Sequence, residues 1–158
     1  MEATYHENYT KQLQRLLNVV NKSKKKYLEA SNDIDSPELK NIFNQFISER
    51  QTVYSELKTE IKKRGGDIEE IENDSELNKH HFNSTKMGAA THNDQSVLEK
   101  IRNTEQEALD AYDDVLQGSI LEEFDLKTLI GGQRLIINEA FTELDRRYFS
   151  MFQNKQSY

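Results

Sequence analysis

The chain contains no cysteine and only one proline among its 158 residues. The absence of cysteine excludes disulfide bonds, thiolate catalysis and sulfur-ligated metal sites, although it does not fix the cellular compartment. No stretch approaches the roughly 20 apolar residues that span a bilayer, and the segment before Leu13 is polar and lacks the apolar run of a signal sequence. We therefore expect a cytoplasmic protein without a membrane-spanning segment.

Positive charge is also scarce, since 28 acidic residues stand against 21 basic ones and the net charge is −7. Such a balance repels phosphate backbones and anionic lipid surfaces, so we expect neither nucleic acid nor a membrane as a partner. The length and the 35% hydrophobic content suit one domain with a continuous core. We predict a single helical bundle domain over 1–158, with flexible tails at about 1–8 and 153–158.

Apolar residues recur at three- and four-residue spacing through the four longest stretches that lack glycine and proline. This period predicts helices and not strands. The first helix is predicted over about 9–31. The second is predicted to follow an N-cap at Ser36, with Pro37 at its first position, and to end at Gly65 and Gly66.

The signals for the last two helices are similar. Asn93 or Asp94 is the expected cap of a third helix, which ends at Gly118. Ser119 and Glu122 match a capping box, which predicts that the fourth helix opens there.

A long polar segment separates the second and third helices. Its length of about 28 residues, 67–94, exceeds the roughly 2–8 of a bundle hairpin, so we expect it to cross from one end of the bundle to the other. Leu77, Phe82, Met87 and Ala90 would form a short amphipathic helix within it. Short loop, long crossover and short loop is the ferritin-like connectivity, so the predicted fold class is an all-α, ferritin-like four-helix bundle.

Several segments also carry a family resemblance. They are Ser36-Pro-Glu-Leu-Lys, Ile42-Phe43, Glu49-Arg50, Glu56-Leu57 and Arg64-Gly65-Gly66 in the second helix, Glu105, Ala108-Leu109 and Ala111-Tyr112 in the third, and Gln133 in the fourth. In order and spacing, from about Leu16 to Arg147, they resemble a bacterial family of ferritin-like four-helix-bundle proteins catalogued as a domain of unknown function. The resemblance implies a ferritin-like bundle and a stress-associated role in bacteria, and it implies no established activity.

One polar residue interrupts the predicted inward stripe of each helix: Lys24, Glu49, Glu105 and Gln133. A di-iron or di-manganese site in such a fold needs a Glu from each of two helices and a Glu-x-x-His from each of the other two. Both histidines are missing, with Thr52 at the third position after Glu49, and Lys24 stands where a metal-binding carboxylate is expected. Glu49 and Glu105 are too few to hold two divalent ions. We therefore expect no metal cofactor, with iron or manganese as the alternative.

Helix geometry suggests how these four residues meet. We predict a buried core polar cluster of Lys24, Glu49, Glu105 and Gln133, in which the ammonium group takes the charge role of a metal. In a second interpretation Lys24 extends to solvent and Glu49 lies on the flank beside Arg50. A real metal site is the third.

Two further features carry weaker signals. His80, His81 and His92 lie in the crossover without a matching carboxylate pattern, so a metal role there is a minor alternative. Gly131 and Gly132 lie within the predicted fourth helix, where they predict a close helix approach or a kink. A ligand-binding opening beside them is the alternative.

Tyr148, Phe149 and Phe152 form an aromatic cluster that exceeds what one core stripe needs. We predict that it forms a homodimer contact or covers the crossover. The sequence identifies no protein partner, no catalytic residue and no cofactor-binding residue. We expect a non-catalytic structural or interaction protein, and the alternative is a carboxylate-bridged di-iron or di-manganese oxidoreductase or a metal-storage protein.

Overall fold

The computed structural model describes residues 2–68 and 93–156. Most of these residues lie in four α-helices, which are α1 (Glu2–Asp33), α2 (Pro37–Lys63), α3 (Asp94–Leu116) and α4 (Phe124–Gln156). A 3₁₀ turn, Ser119–Glu122, lies between α3 and α4. No strand occurs in these two ranges, and the prediction of an all-α chain with four helices is confirmed.

Local sequence signals set both ends of α2. Ser36 is the N-cap, since its hydroxyl accepts a hydrogen bond from the Leu39 N–H at 3.3 Å, and Pro37 is the first helical residue. Beyond the last helical turn the chain reverses at Gly65, whose φ of +79° lies in the left-handed region that glycine adopts without strain.

The start of α3 is tied to the loop between α1 and α2. Of the two predicted caps, Asn93 is the N-cap, and its side chain accepts from the Ser96 N–H at 2.7 Å. The Asp94 carboxylate instead accepts from the backbone N–H of Asp35 at 2.9 Å and of Ser36 at 3.2 Å. These bonds place the beginning of α3 at the end of the bundle where α1 passes into α2.

The start of α4 differs from the prediction. The segment 119–122 forms the 3₁₀ turn instead of the first turn of the helix, and α4 begins at Phe124. Ile120 is fully buried within that turn. The helical hydrogen bonds begin only when the Lys127 N–H donates to the Glu123 carbonyl at 2.9 Å. Burial of one apolar side chain therefore delays the helix that the capping pattern predicted.

Helices α1 and α4 are longer than predicted. α1 begins at Glu2 rather than at Tyr9, and α4 runs to Gln156. The Gln14 amide donates to the Asp67 carbonyl at 2.7 Å, which places the exit of α2 beside the first half of α1. The exit of α2 and the entry of α3 thus lie at opposite ends of the bundle.

Helix α1 packs mainly on α2 and α3, and α3 packs on α4, whereas α2 and α4 touch only slightly. The buried apolar residues form two clusters along the bundle axis. One centres on Leu13, Leu17, Leu57, Tyr112 and Ile137, and the other on Tyr27, Phe43, Leu98 and Leu144.

Some predictions fall outside the residues that the structure describes. They concern the amphipathic segment with Leu77, Phe82, Met87 and Ala90 and the histidines at 80, 81 and 92. In the described ranges, no helix combines the length and the apolar character that crossing a membrane requires.

Candidate functional site: a buried polar core

Three helices each contribute one fully buried polar residue to the same level of the core: Ser23 from α1, Arg50 from α2 and Glu105 from α3, all 0% exposed. The Ser23 hydroxyl donates to Glu105 Oε1 at 2.5 Å, and Arg50 Nη2 donates to Glu105 Oε2. Arg50 Nε also donates to Ser23 Oγ at 3.4 Å. Both carboxylate oxygens of Glu105 are therefore engaged within this Ser23–Arg50–Glu105 triad.

Aromatic rings lie on one side of the triad, beside Arg50. The Tyr27 ring lies 5.8 Å from Arg50 Cζ and packs on Phe43 and Phe46, with ring centroids 5.8 and 5.6 Å apart. Burial raises the pKa of the Tyr27 phenol well above its ordinary value, and the charge of Glu105 adds to this effect. Burial, the largest single effect, lowers the pKa of Arg50, but the charge and hydrogen bond of Glu105 together with the nearby phenols Tyr27 and Tyr112 outweigh it and hold that pKa above the ordinary value.

A second polar level lies about 10 Å further along α3, two helical turns beyond Glu105. The Tyr112 hydroxyl donates to Gln133 Oε1 at 2.8 Å, and Gln133 Nε2 donates to Glu56 Oε1 at 3.3 Å. Gln133 is only 2% exposed, whereas Glu56 lies at the surface. Burial raises the pKa of Tyr112 as well. A line of hydrogen bonds thus leads from the core to the surface of α2.

The structure corrects the predicted place of Lys24. Its side chain is partly exposed, its Nζ donates to Gln51 Oε1 at 2.9 Å, and the Nζ lies 5.0 Å from the centroid of the Tyr54 ring. Partial burial and then the charge of Lys25 lower its pKa. Lys24 runs outward along α2, as long amphipathic side chains often do, and it does not reach Glu105.

The other three residues of the predicted core polar cluster do not meet either. Glu49 is partly exposed and its closest described hydrogen bond comes from Gln45 at 3.5 Å on the same helix. Glu105 and Gln133 are both buried, but each lies in a different polar level with its own partners. The interpretation that placed Lys24 and Glu49 on the flanks of their helices agrees with these positions.

Ser23 and Arg50 are the core residues that the sequence reasoning missed, and each is adjacent to a residue that it chose. Their spacing was informative, because Ser23 follows Val20 by three positions and precedes Tyr27 by four. Arg50 likewise follows Phe46 by four. The position of a residue in the apolar repeat therefore predicts its burial better than its charge does. The prediction of Lys24 and Glu49 as core residues followed charge and passed over their neighbours.

The donor set of this core does not suit a metal ion. Among the described residues Glu105 is the one fully buried carboxylate, and it is already neutralised by the Arg50 guanidinium, which carries only donors. Arg50 Nη1 is a further buried donor of this level without a hydrogen-bond partner within the described ranges. Across those ranges no three His, Asp or Glu side chains converge in a way that could hold a metal. A di-metal centre of the ferritin-like kind therefore does not fit these residues.

A groove of about 480 Å³ lies between α2 and α4. Gly131 and Gly132 do not mark a close helix approach as predicted, because a Cβ built on either would meet no atom of the described residues within 4 Å. α4 continues through them, and the kink stays a prediction. Leu129 is the apolar lining residue on α4. The α2 wall consists of Gln51, Thr52, Ser55, Glu56, Thr59 and Glu60.

The aromatic residues near the end of α4 pack on a cation. Tyr148 and Phe149 meet edge to face with centroids 5.4 Å apart, and Arg102 Cζ lies 4.6 Å from the first ring and 5.4 Å from the second. Phe149 remains 49% exposed. The side chain of Phe152 is not among those that the structure describes. The homodimer contact stays a prediction.

The chain matches a family model described as a domain of unknown function, DUF2383, over residues 8–118. The chain belongs to this family. The matched part of this DUF2383 chain includes α2 and α3 and all three residues of the triad, whereas Gln133 and Leu129 on α4 lie beyond it. Among curated proteins, none matches the chain.

Proposed function

We propose that this DUF2383 chain is a ferritin-like bundle that works without a metal centre, as a structural or interaction protein. The helix arrangement supports the ferritin-like part. α1 is antiparallel to both α2 and α3, and the exit of α2 and the entry of α3 lie at opposite ends of the bundle. Short links within the two helix pairs and a long crossover between them are the ferritin-like connectivity.

The observation that carries the proposal is the buried Arg50–Glu105 ion pair. In di-metal bundles, carboxylates from facing helices need a cation in the core, and the metal supplies it. Here the cation is the Arg50 guanidinium on α2. It neutralises the charge of Glu105 and fills the space beside that carboxylate. A metal ion at this level would have to displace Arg50 and leave a positive charge buried without a partner, which is strongly unfavourable.

The polar core then serves to hold the bundle together, and any biological activity belongs to the surface. The acidic surface suits partners that carry positive charge and disfavours nucleic acid and anionic membranes. A cytoplasmic location and the stress-associated role that the family resemblance implies belong to the same proposal.

Metal analysis tests the proposal. The protein is produced in cells supplied with iron and manganese, purified without chelator, and analysed by plasma mass spectrometry. We expect iron, manganese and zinc each well below one ion per chain, because Glu105 has no free oxygen to offer. About two ions per chain, as a di-metal centre requires, would instead establish the oxidoreductase or metal-storage alternative.

A further inference from the structure

Helix α4 is apolar on two opposite faces. On the outward face Phe124 is 77% exposed, Leu135 is 61% exposed and Phe149 is 49% exposed. At about 100° per residue these three side chains lie within about 40° of each other around the helix axis, so they form one exposed apolar stripe. The inward face carries the buried apolar residues Leu126, Ile130, Ile137, Ala140 and Leu144.

The centre line of the stripe carries no charge. Gly131 and Thr142 lie on it between the three apolar residues. The stripe extends over about 37 Å from Phe124 to Phe149, because each residue adds about 1.5 Å along the helix. α4 packs on α3 and touches α2 only slightly, so it uses less of its surface inside the bundle than α1 does. A long uncharged line on one helix is typical of an interaction surface, whereas single exposed apolar residues are common.

The stripe is symmetric about its own middle, which lies near residue 136. Phe124 and Phe149 are at nearly equal distances on either side, and Leu135 lies beside the middle. If a second copy of α4 packs antiparallel about this point, each Phe124 lies opposite Phe149 of the other copy, and the two Leu135 side chains lie side by side. A two-fold interface requires such self-complementarity, because one patch serves both copies.

The charges beside the stripe match in the same arrangement. Lys127 and Asp145 lie on one flank of the stripe, and Asp125 and Arg146 lie on the other. Because a two-fold axis brings the same flank of both copies together, Lys127 lies opposite Asp145 of the second copy and Asp125 lies opposite Arg146. Asp145 and Arg146 have ion-pair partners within the chain, but their side chains stay 39% and 64% exposed.

The charge of α4 also favours a second copy at this face. The helix has five basic and four acidic residues, while the whole chain has a net charge of −7. α3, in contrast, has seven acidic residues and two basic ones. Two copies of an acidic chain therefore repel each other least when their α4 faces meet.

We propose that this chain forms a two-fold homodimer through an antiparallel pair of α4 helices that cross near residue 136. The aromatic pair Tyr148 and Phe149, from which the sequence predicted a dimer contact, lies at one end of this interface. A contact between two helices is small compared with the interfaces of permanent dimers, so we expect the dimer to dissociate in the micromolar range.

Sedimentation velocity on the full chain tests the proposal over a range of about 1–500 μM. We expect a shift from monomer to dimer as the concentration rises. Leu135→Glu places two like charges beside the two-fold axis and should weaken dimerisation about a hundredfold. The matched control is Leu28→Glu, because Leu28 is a similarly exposed leucine on α1, and dimerisation should not change.

Three results of this experiment would overturn the proposal. One is a wild-type chain that stays monomeric over the whole range, as expected if another segment of the same chain covers the stripe. The others are a dimer that Leu135→Glu leaves intact and an equal loss of dimer in Leu135→Glu and Leu28→Glu.

Engineered cysteines test the antiparallel alignment, and the chain has no native cysteine that could interfere. Under mild oxidation Leu135→Cys should form a disulfide between two copies, because both cysteines lie close to the axis. Phe124→Cys and Phe149→Cys should each crosslink slowly alone and rapidly when the two variants are mixed. Leu28→Cys gives the background rate of collisions. Rapid crosslinking of Phe124→Cys with itself would indicate a parallel pair and contradict the proposed alignment.

Charge reversal tests the flanks of the stripe. Asp125→Lys should weaken dimerisation about tenfold, because it faces Arg146 of the second copy. Adding Arg146→Glu to the same chain should restore most of the affinity, since the two charges then attract again. If the effects of the two substitutions simply add, these residues do not face each other across a dimer.

Discussion

At the scale of single residues, the dominant effect is the burial of a guanidinium and a carboxylate together. Both charges lose their hydration on burial, and the hydrogen bonds among Ser23, Arg50 and Glu105 replace the bonds to water. The net stabilisation from such a pair is often small, whereas separating the partners is costly. A bundle in which α2 slid along α3 would bury two unpaired charges, so the triad selects one alignment of these helices.

The buried phenols predict how stability depends on high pH. Burial raises the pKa of Tyr27 and of Tyr112 above the ordinary value of 10.0. In the unfolded chain both phenols ionise near pH 10, while in the folded chain they stay neutral. Their contribution to stability is therefore fully present below pH 10 and is lost as the pH rises toward the raised folded pKa.

Absorbance titration of the phenolates measures this effect. We expect Tyr27 and Tyr112 to ionise only together with cooperative unfolding, followed in parallel by circular dichroism. Each of the variants Tyr27→Phe and Tyr112→Phe should lower, by one phenolate per chain, the absorbance change that accompanies unfolding at high pH. In urea the seven tyrosines should ionise in a single early step. If the absorbance change that accompanies unfolding keeps its full size in both variants, these two phenols ionise earlier and are accessible to solvent in the folded chain.

At the scale of helices, the glycine pair in α4 predicts a gain in stability. Gly131→Ala and Gly132→Ala should each raise the free energy of unfolding by about 0.5–1 kcal/mol, because alanine restricts the unfolded chain and its Cβ meets none of the described residues within 4 Å. Gly66→Ala is the opposite control. A Cβ there would lie 2.3 Å from Thr10 Cγ2 and 2.7 Å from Ile61 Cγ2, so this variant should lose stability.

Urea denaturation followed by circular dichroism gives these differences, and the dependence on urea should stay the same among the variants. A loss of stability on Gly132→Ala would show that α4 needs a glycine there for a contact that its backbone makes.

The helix ends show which features of the fold are local. Ser36 and Asn93 were predictable as caps, because a cap depends on one side chain and the N–H groups next to it. The start of α4 was not, because the burial of Ile120 depends on residues that are distant in sequence. The capping pattern at Ser119 and Glu122 was a true local preference that tertiary packing overrode.

The candidate site was predictable to the same limited degree. Glu105 and Gln133 stood out because a polar residue within an apolar stripe must find a buried partner. The partners did not follow, since neighbouring positions on a helix differ by only about 100° and long cationic side chains can turn inward or outward. Ser23 carries no charge and Arg50 lies beside another charged residue, so composition gave no reason to choose them.

At the scale of the whole molecule, polar contacts hold both ends of the bundle. Asp94 fixes the entry of α3 to the loop between α1 and α2, and at the opposite end Arg64 pairs with Glu123. The α2 and α4 seam lies between these ends, and along it the two helices touch only slightly. The molecule therefore combines a polar core, which sets helix alignment, with an open acidic groove.

The most direct test of the account is a double-mutant cycle on the core ion pair, measured as the free energy of unfolding in urea with chelator present. Arg50→Met should lower stability by about 3–5 kcal/mol, because Glu105 is left buried without a counter-charge. Adding Glu105→Met should restore much of that loss, and Lys24→Met, the control at a partly exposed cation, should cost less than about 1 kcal/mol. An Arg50→Met variant as stable as the wild type, or single effects that simply add in the double variant, would contradict the claim that Arg50 neutralises this core.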